Sequence, residues 1–351
     1  SICIAGNTIM LHLLAGINPK YIREAPYIPA TNFGDWWKGK DFSLETAEAS
    51  VYLMPCVASY MGGDITAGLI STGIFESEDM SLFIDIGTNG EIVFGNKEWL
   101  ISCSCSAGPA FEGGGIQFGM RASRGAIEQV RINKETGEPM ILTVGQSKPV
   151  GICGSGLIDL LAELFLSGII DQKGKFNQNK STERIRKGEH GNEYVLVWSK
   201  DSKINKDIII TEVDIDNLIR AKAAVFAGIT ILLESVNISF EAIKKIIIGG
   251  SFGNFLEVEK AVTIGLLPDI PPEKYYFVGN SSLHGAYLTA LSKDMLKKSI
   301  EVARKMTYLE LSENSKFMDR YVSAMFLPHT DLNLFPSIKQ QVLEVAGGRT
   351  R

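Results

Sequence analysis

The residues best placed to do chemistry lie in the stretch SLFIDIGTNGEIVFG, from Ser81 to Gly95. Leu82, Phe83 and Ile84 are apolar without alternation, the pattern of a strand buried on both faces of an α/β sheet, and Asp85 stands at its end. Gly87, Thr88, Asn89 and Gly90 then turn the chain back. An Asn-Gly pair supplies the left-handed backbone a hairpin turn needs, and the N–H groups of such a turn can form an anion-binding nest. A carboxylate beside a phosphate cradle is repelled by it unless a cation lies between them. Asp85 therefore reads as a magnesium-shell residue acting through water. The competing reading is an ordinary hairpin with an Asp at its corner.

Other segments offer walls for the same site. Asp64 falls near the start of a short helix of small residues, 63–73, where it either caps the helix or faces a cleft and orients water or magnesium. A strand over 98–104 delivers a glycine-rich loop containing Gly113 and Gly114, whose backbone can approach a ligand closely. The apolar run Ile246-Ile247-Ile248 ends in Gly249, Gly250 and Ser251, with Gly253 beyond, at the carboxyl end of a strand where open α/β folds bind ligands. Thr8 opens a helix as a cap or a phosphate contact, and His12 sits packed among leucines. Arg220 and Lys222, in a long amphipathic helix over 215–235, lie at a nucleotide base or in water. Gly151 to Gly156 resembles half of a dinucleotide fingerprint, but its order of elements differs and it is set aside.

The elements that must position these residues belong to a globular chain. Its 351 residues are long enough for two domains, with 45% hydrophobic and 21% charged residues. A net charge of −5 with no basic block argues against a nucleic-acid partner. No apolar run approaches the roughly 18 residues of a membrane span. The five cysteines (Cys3, Cys56, Cys103, Cys105, Cys153) contain no CxxC pair, which points away from a disulfide framework or structural zinc and fits a reducing cytoplasm. Ser1 opens directly on a strand, without Met or leader, and the chain reads as a piece of a longer protein. Prolines predict an irregular segment over 18–50 in which Trp36 and Trp37 fill space. Residues 171–207 read as a polar surface excursion with a short strand over 194–198. Toward the end a helix over 298–305 and strands over 308–311 and 322–327 are expected, with extended chain from Pro328 and a frayed tail.

Hairpin, glycine loop and the long helix leading to GGSFG, in that order, resemble the actin-like ATPase superfamily of acetate and sugar kinases, Hsp70 and actin. The resemblance implies an α/β, actin-like (ribonuclease H-like) ATPase fold of two lobes with mixed sheets, the first lobe incomplete here. Residues 1–79 would be the remainder of that lobe with the hinge helix 63–73. Residues 80–291 would be the second lobe, and 292–351 a carboxy-terminal extension. Asp85, Gly87, Thr88, Asn89 and Gly90 match the superfamily's second phosphate motif, and Gly249, Gly250, Ser251 and Gly253 its adenosine motif.

Within the superfamily the blocks AGNTIMLHLL, VASYMGGDITAGL, DIGTNGEI, SCSAGPAFEGGGI, GICGSGLID, AKAAVFAGI, GGSFGNFLE, IGLLP and GNSSLHGA look like the carboxy-terminal ATPase domain of the reductive activators of corrinoid proteins. That resemblance implies ATP and Mg²⁺ as cofactors and a corrinoid protein as partner, and it leaves a homodimer open. It also implies an amino-terminal [2Fe–2S] domain as electron source, and ATP-driven reduction of cob(II)alamin to cob(I)alamin. Two departures matter: no ferredoxin-type cysteine run exists, and no first phosphate hairpin precedes Ser1, so this stretch is expected to bind ATP weakly and to transfer no electron. Three rivals stay open. One is an activator of 2-hydroxyacyl-CoA dehydratases with a dimer-bridging [4Fe–4S] cluster on Cys103, Cys105 or Cys153; another is a small-molecule kinase, and the third is a nucleotide-gated binding module without turnover.

Overall fold

The computed structural model describes residues 1–180, 182–189, 191–250 and 256–347. The apolar run at Leu82 lies in the middle of a mixed six-stranded sheet, in the order Tyr275–Phe277, Lys245–Gly249, Ser81–Ile86, Gly90–Gly95, Leu100–Cys105, Met306–Tyr308. The first three strands run parallel, the hairpin and Leu100–Cys105 antiparallel, and Met306–Tyr308 parallel to Leu100–Cys105. Apolar residues on both faces of each strand follow from helices covering both sides. Leu82, Ile84, Ile92 and Phe94 pack with Val225, Ile229 and Leu232 of the helix Glu212–Ser235. Phe83, Val93 and Ile247 point the other way, into a core shared with Ile65, Leu69 and Ile70 of the helix Gly63–Thr72.

A separate three-stranded sheet, Ile2–Ile4, Ser50–Leu53, Trp36–Lys38, carries the first part of the chain. The tryptophans expected in an irregular loop therefore form a strand, antiparallel to Ser50–Leu53, with the Trp36 ring tilted against Tyr52 at 5.2 Å between centroids. Pairing to an already buried strand outweighs the prolines nearby, which all lie outside the paired residues. The two parts meet where the helix Gly63–Thr72 packs on the helix Ser281–Leu291. Gly285 makes this approach possible, since a Cβ there would collide with the carbonyl of Ala67.

Three other expectations are corrected. The strand expected over 194–198 is present as Gly191–Val197, but the stretch around it is not only a surface excursion: this strand pairs with Ile208–Thr211 and buries Tyr194, Val195, Leu196 and Val197 in the core. Residues 317–324 form a helix where a strand over 322–327 was expected; Phe317 and Tyr321, four apart, share its buried side. The tail expected to be extended includes the helix Lys339–Gly347, with Val342 buried. No helix among the described residues is long and apolar enough to cross a membrane.

Candidate functional site

The carboxyl ends of Ser81–Ile86 and Lys245–Gly249 lie side by side, with Gly249 directly opposite Asp85 in the parallel register. Gly250 follows at φ +87°, a conformation that favours glycine, and a Cβ on it would stand 3.1 Å from Asp85 Oδ1. Its N–H donates to the Gly279 carbonyl at 2.8 Å, which ties two strand-end turns together. Beside them opens a cleft of about 600 Å³ whose lining includes Asp85, Gly87, Glu112, Arg121, Ser155 and Gly250.

Three carboxylates lie close enough to repel one another. Asp85 faces Glu91 across the hairpin, and these are the two incompletely buried residues of its strands. Asp64 joins from the first turn of the helix Gly63–Thr72, where Ile65 N–H donates to its Oδ1 at 3.0 Å. Burial, and then the Asp64 charge, push Asp85 up to about 6. Burial followed by Asp64 and Asp85 push Glu91 up to about 8. Asp64 is itself raised, by burial, against the pull of its backbone hydrogen bonds. Like charges placed directly opposite on a hairpin destabilise it, and a positive ion between them would relieve the repulsion. The fit to Mg²⁺ is therefore good in charge.

The turn itself offers donors. Gly87 N–H is used internally, donating to Asn89 O at 2.9 Å. The N–H groups of Thr88 and Asn89 find no acceptor among the described residues. Across the cleft the helix Gly154–Leu166 presents its amino-terminal end through Gly154 and Ser155, where the helix dipole favours an anion.

The structure thus brings Asp64, Asp85, Gly87, Thr88, Asn89 and Gly250 to one end of the sheet. Gly249 and Gly90 stand behind that surface: a Cβ would meet Phe83 and Ser281 at Gly249, and Cys105 Sγ at 2.7 Å at Gly90. Gly113 and Gly114 do not present backbone to the cleft as expected. A Cβ on Gly113 would strike the backbone of Gly119 and Met120, and one on Gly114 the ring of Pro109, so both serve close packing within the loop. What the loop brings to the cleft is Phe111 and Glu112. Ser251 and Gly253 lie outside the described residues.

Lys222 is the clearest correction among the candidate residues. It is fully buried, and its Nζ donates to the carbonyls of Phe326 at 2.5 Å and Pro328 at 2.6 Å, anchoring the carboxy-terminal segment to the long helix. Burial drives its pKa well down. Thr8 also differs: Asn7 caps the first helix, while Thr8 Oγ1 donates to Ala58 O at 2.8 Å. His12 is buried, as expected, with Nδ1 2.7 Å from Thr8 O.

Sequence reasoning missed Glu91, Glu112 and the Cys153-Gly154-Ser155 wall. Glu91 could have been found by counting the hairpin register outward from the Asn-Gly turn. Cys153, Gly154 and Ser155 lay within the glycine pattern that was set aside.

The cysteines bear on the iron–sulfur rival. Cys103, Cys105 and Cys153 are buried thiols donating to the carbonyls of Gly228, Gly90 and Ile127. Burial raises Cys103 and pushes Cys105 up to about 12, the opposite of what a cluster-binding thiolate needs.

Comparison with known proteins fits this geometry. The family described as the C-terminal domain of RACo, the ASKHA domain, matches residues 79–339, and the RACo middle region matches residues 1–77. The chain belongs to the RACo family. Its ASKHA domain is the actin-like fold expected from the strand-end turns. Among the relatives is a corrinoid activation enzyme, RamQ, of Eubacterium limosum, 35% identical over 90% of this chain and 54% of that protein. Another is a [Co(II) methylated amine-specific corrinoid protein] reductase of Methanosarcina barkeri, 26% identical over 86% of this chain and 54% of that protein. Among solved structures, a reductive activator for corrinoid, iron-sulfur protein superposes with a TM-score of 0.90 at 56% identity, covering 95% of this chain and 54% of the other. The chain thus spans about half the length of the relatives it matches.

Proposed function

We propose that this chain supplies the ATPase part of a reductive activator, which drives the one-electron reduction of inactive cob(II)alamin to cob(I)alamin on a corrinoid protein. The observation that carries the reading is the junction of Asp85 with Gly249 and Gly250 above the cleft, in a chain so close to a reductive activator. ATP is the nucleotide and Mg²⁺ its counter-ion. Asp85 holds the ion through water, and Asp64 and Glu91 add charge. Among the described residues no three His, Cys, Asp or Glu side chains converge to chelate a metal directly. Water and phosphate oxygens would complete the shell, as Mg²⁺ prefers. Such an ion would neutralise charge developing on the transferred phosphoryl group.

The chain's own residues bind and orient. Thr88 and Asn89 offer N–H groups to phosphate oxygens, and Gly250 lets the nucleotide lie against the backbone beside Asp85. The electron comes from a [2Fe–2S] cluster in a domain outside these 351 residues. ATP acts by linkage: the activator must hold the corrinoid protein with different affinity in its ATP and ADP states, because only differential affinity can move the coupled equilibrium.

The test mixes the full-length activator with its corrinoid protein, a reductant and ATP under anaerobic conditions, and follows cob(I)alamin optically. ATP-dependent cob(I)alamin is expected, and Asp85→Asn should slow ATP hydrolysis on the order of 100-fold. Equal cob(I)alamin formation without ATP, or full hydrolysis by Asp85→Asn, would overturn the reading.

A further inference from the structure

We propose that Glu112 makes nucleotide binding conditional on a divalent cation, by occupying the phosphate turn whenever the cleft is empty. The inference rests on the nucleotide reading above and adds a residue that selects the form of nucleotide admitted.

The 3-10 turn Pro109–Glu112 ends at Gly113, whose φ of +86° reverses the chain and leaves Glu112 exposed at the cleft. The two oxygens of its carboxylate span the turn at Gly87 and Thr88. Oε2 accepts from Thr88 Oγ1 at 2.9 Å, and Oε1 lies 3.3 Å from the position a Cβ on Gly87 would take. A threonine hydroxyl has a single proton to give. While that proton goes to Glu112, it cannot go to a phosphate. The Gly87 N–H is also committed, to Asn89 O. The turn then retains the N–H groups of Thr88 and Asn89, with a carboxylate held on its Thr88 hydroxyl and beside Gly87.

Charge decides what can displace it. A metal-free polyphosphate entering here meets Glu112 beside the turn, with Asp85 on the cleft wall and Asp64 beyond it. Among the described residues lining the cleft, Arg121 is the single cationic side chain. A nucleotide carrying its own divalent cation brings the counter-charge with it, and Glu112 can turn toward that cation's water shell as it leaves Thr88. Unit charges of like sign a few ångströms apart near a protein surface repel strongly enough to change affinity about tenfold or more. Glu112 thus penalises the bare nucleotide and spares the complexed one.

The experiment is calorimetric titration of ADP into the full chain, once with Mg²⁺ and once with EDTA, for the wild type, Glu112→Gln and Glu112→Ala. Both substitutions should tighten ADP binding in EDTA about tenfold while changing Mg²⁺–ADP affinity less than about threefold. The preference for the complexed form then collapses. Equal tightening under both conditions would overturn the proposal in favour of simple obstruction. Weaker Mg²⁺–ADP binding would overturn it in favour of a direct metal ligand, and unchanged affinities would make Glu112 a bystander. A wild-type chain that binds ADP under neither condition would sink the nucleotide reading itself, before any variant enters.

Discussion

In residues 1–77, the parallel strands Ile2–Ile4 and Ser50–Leu53 lead into the helix Gly63–Thr72. In residues 79–339, the parallel strands Lys245–Gly249 and Tyr275–Phe277 lead into the helix Ser281–Leu291. In each unit one backbone hydrogen bond ties the two strand ends together, though in opposite directions: Asp64 N–H donates back to Gly6 O at 3.3 Å in the first, and Gly250 N–H donates forward to Gly279 O at 2.8 Å in the second. They differ at one edge. Lys245–Gly249 pairs on its other side with Ser81–Ile86 and so acquires Asp85, whereas Ile2–Ile4 pairs, among the described residues, with Ser50–Leu53 alone. The repeated strand–strand–helix unit is therefore scaffold. The chemistry comes from the hairpin laid beside one copy of it, and the other copy contributes Asp64 across the helix–helix junction.

That junction is where the comparison breaks most readily. Gly285 has no room for a side chain against the Ala67 carbonyl, and a Cβ on Gly68 would stand 2.9 Å from Phe83. Gly285→Leu should push the two helices apart and destabilise the protein by about 3 kcal/mol or more, read as a lowered midpoint in thermal or denaturant unfolding. Gly68→Ala, which meets a ring edge in place of backbone, should act in the same direction but less. If Gly285→Leu unfolds at the wild-type midpoint, the helices are not held at backbone contact and Asp64 is not positioned by them.

Lys222 tests the boundary between site and scaffold more finely. In the sequence it read as lying either at a nucleotide base or in water, and the structure places it in neither. Nothing local shows that the carbonyls of Phe326 and Pro328, more than a hundred positions away, will cover it. Lys222→Met removes the donor from both carbonyls and should destabilise by about 1–3 kcal/mol, leaving ADP affinity unchanged. A drop in ADP affinity at constant stability would return Lys222 to the cleft.

The same distinction explains what was legible. Buried strands and the Glu212–Ser235 helix announce themselves through runs and periods that the residues carry alone. Asp85 and Gly250 were legible as strand-end residues, and their adjacency followed from a general rule for α/β sheets. Trp36–Lys38 and the helix Phe317–Ala324 were misread because their conformations depend on distant partners, Ser50–Leu53 and the long helix. Gly113 and Gly114 were misjudged because a glycine needed for packing and one needed for a ligand look alike in a sequence.

Glu91 gives the most specific effect, one confined to a pH window. Its carboxyl is raised from an ordinary 4.5 to about 8 in the folded protein, and Asp85 from 3.8 to about 6, in both cases first by burial. A raised carboxyl binds its proton more tightly when folded than when unfolded. Its contribution to stability is therefore complete below the unfolded value and is lost as pH climbs to the folded one. Without a divalent cation, stability should fall between about pH 5 and pH 8, with the part above pH 6 belonging mainly to Glu91. Glu91→Gln should flatten that upper part, and Mg²⁺ with nucleotide should flatten it in the wild type by supplying the missing counter-charge. Midpoints of denaturant unfolding at closely spaced pH values read both effects. A slope above pH 6 that survives in Glu91→Gln would mean that Asp85 and Glu91 do not share one field, and the hairpin would then be an acidic corner with no role for its opposite strand.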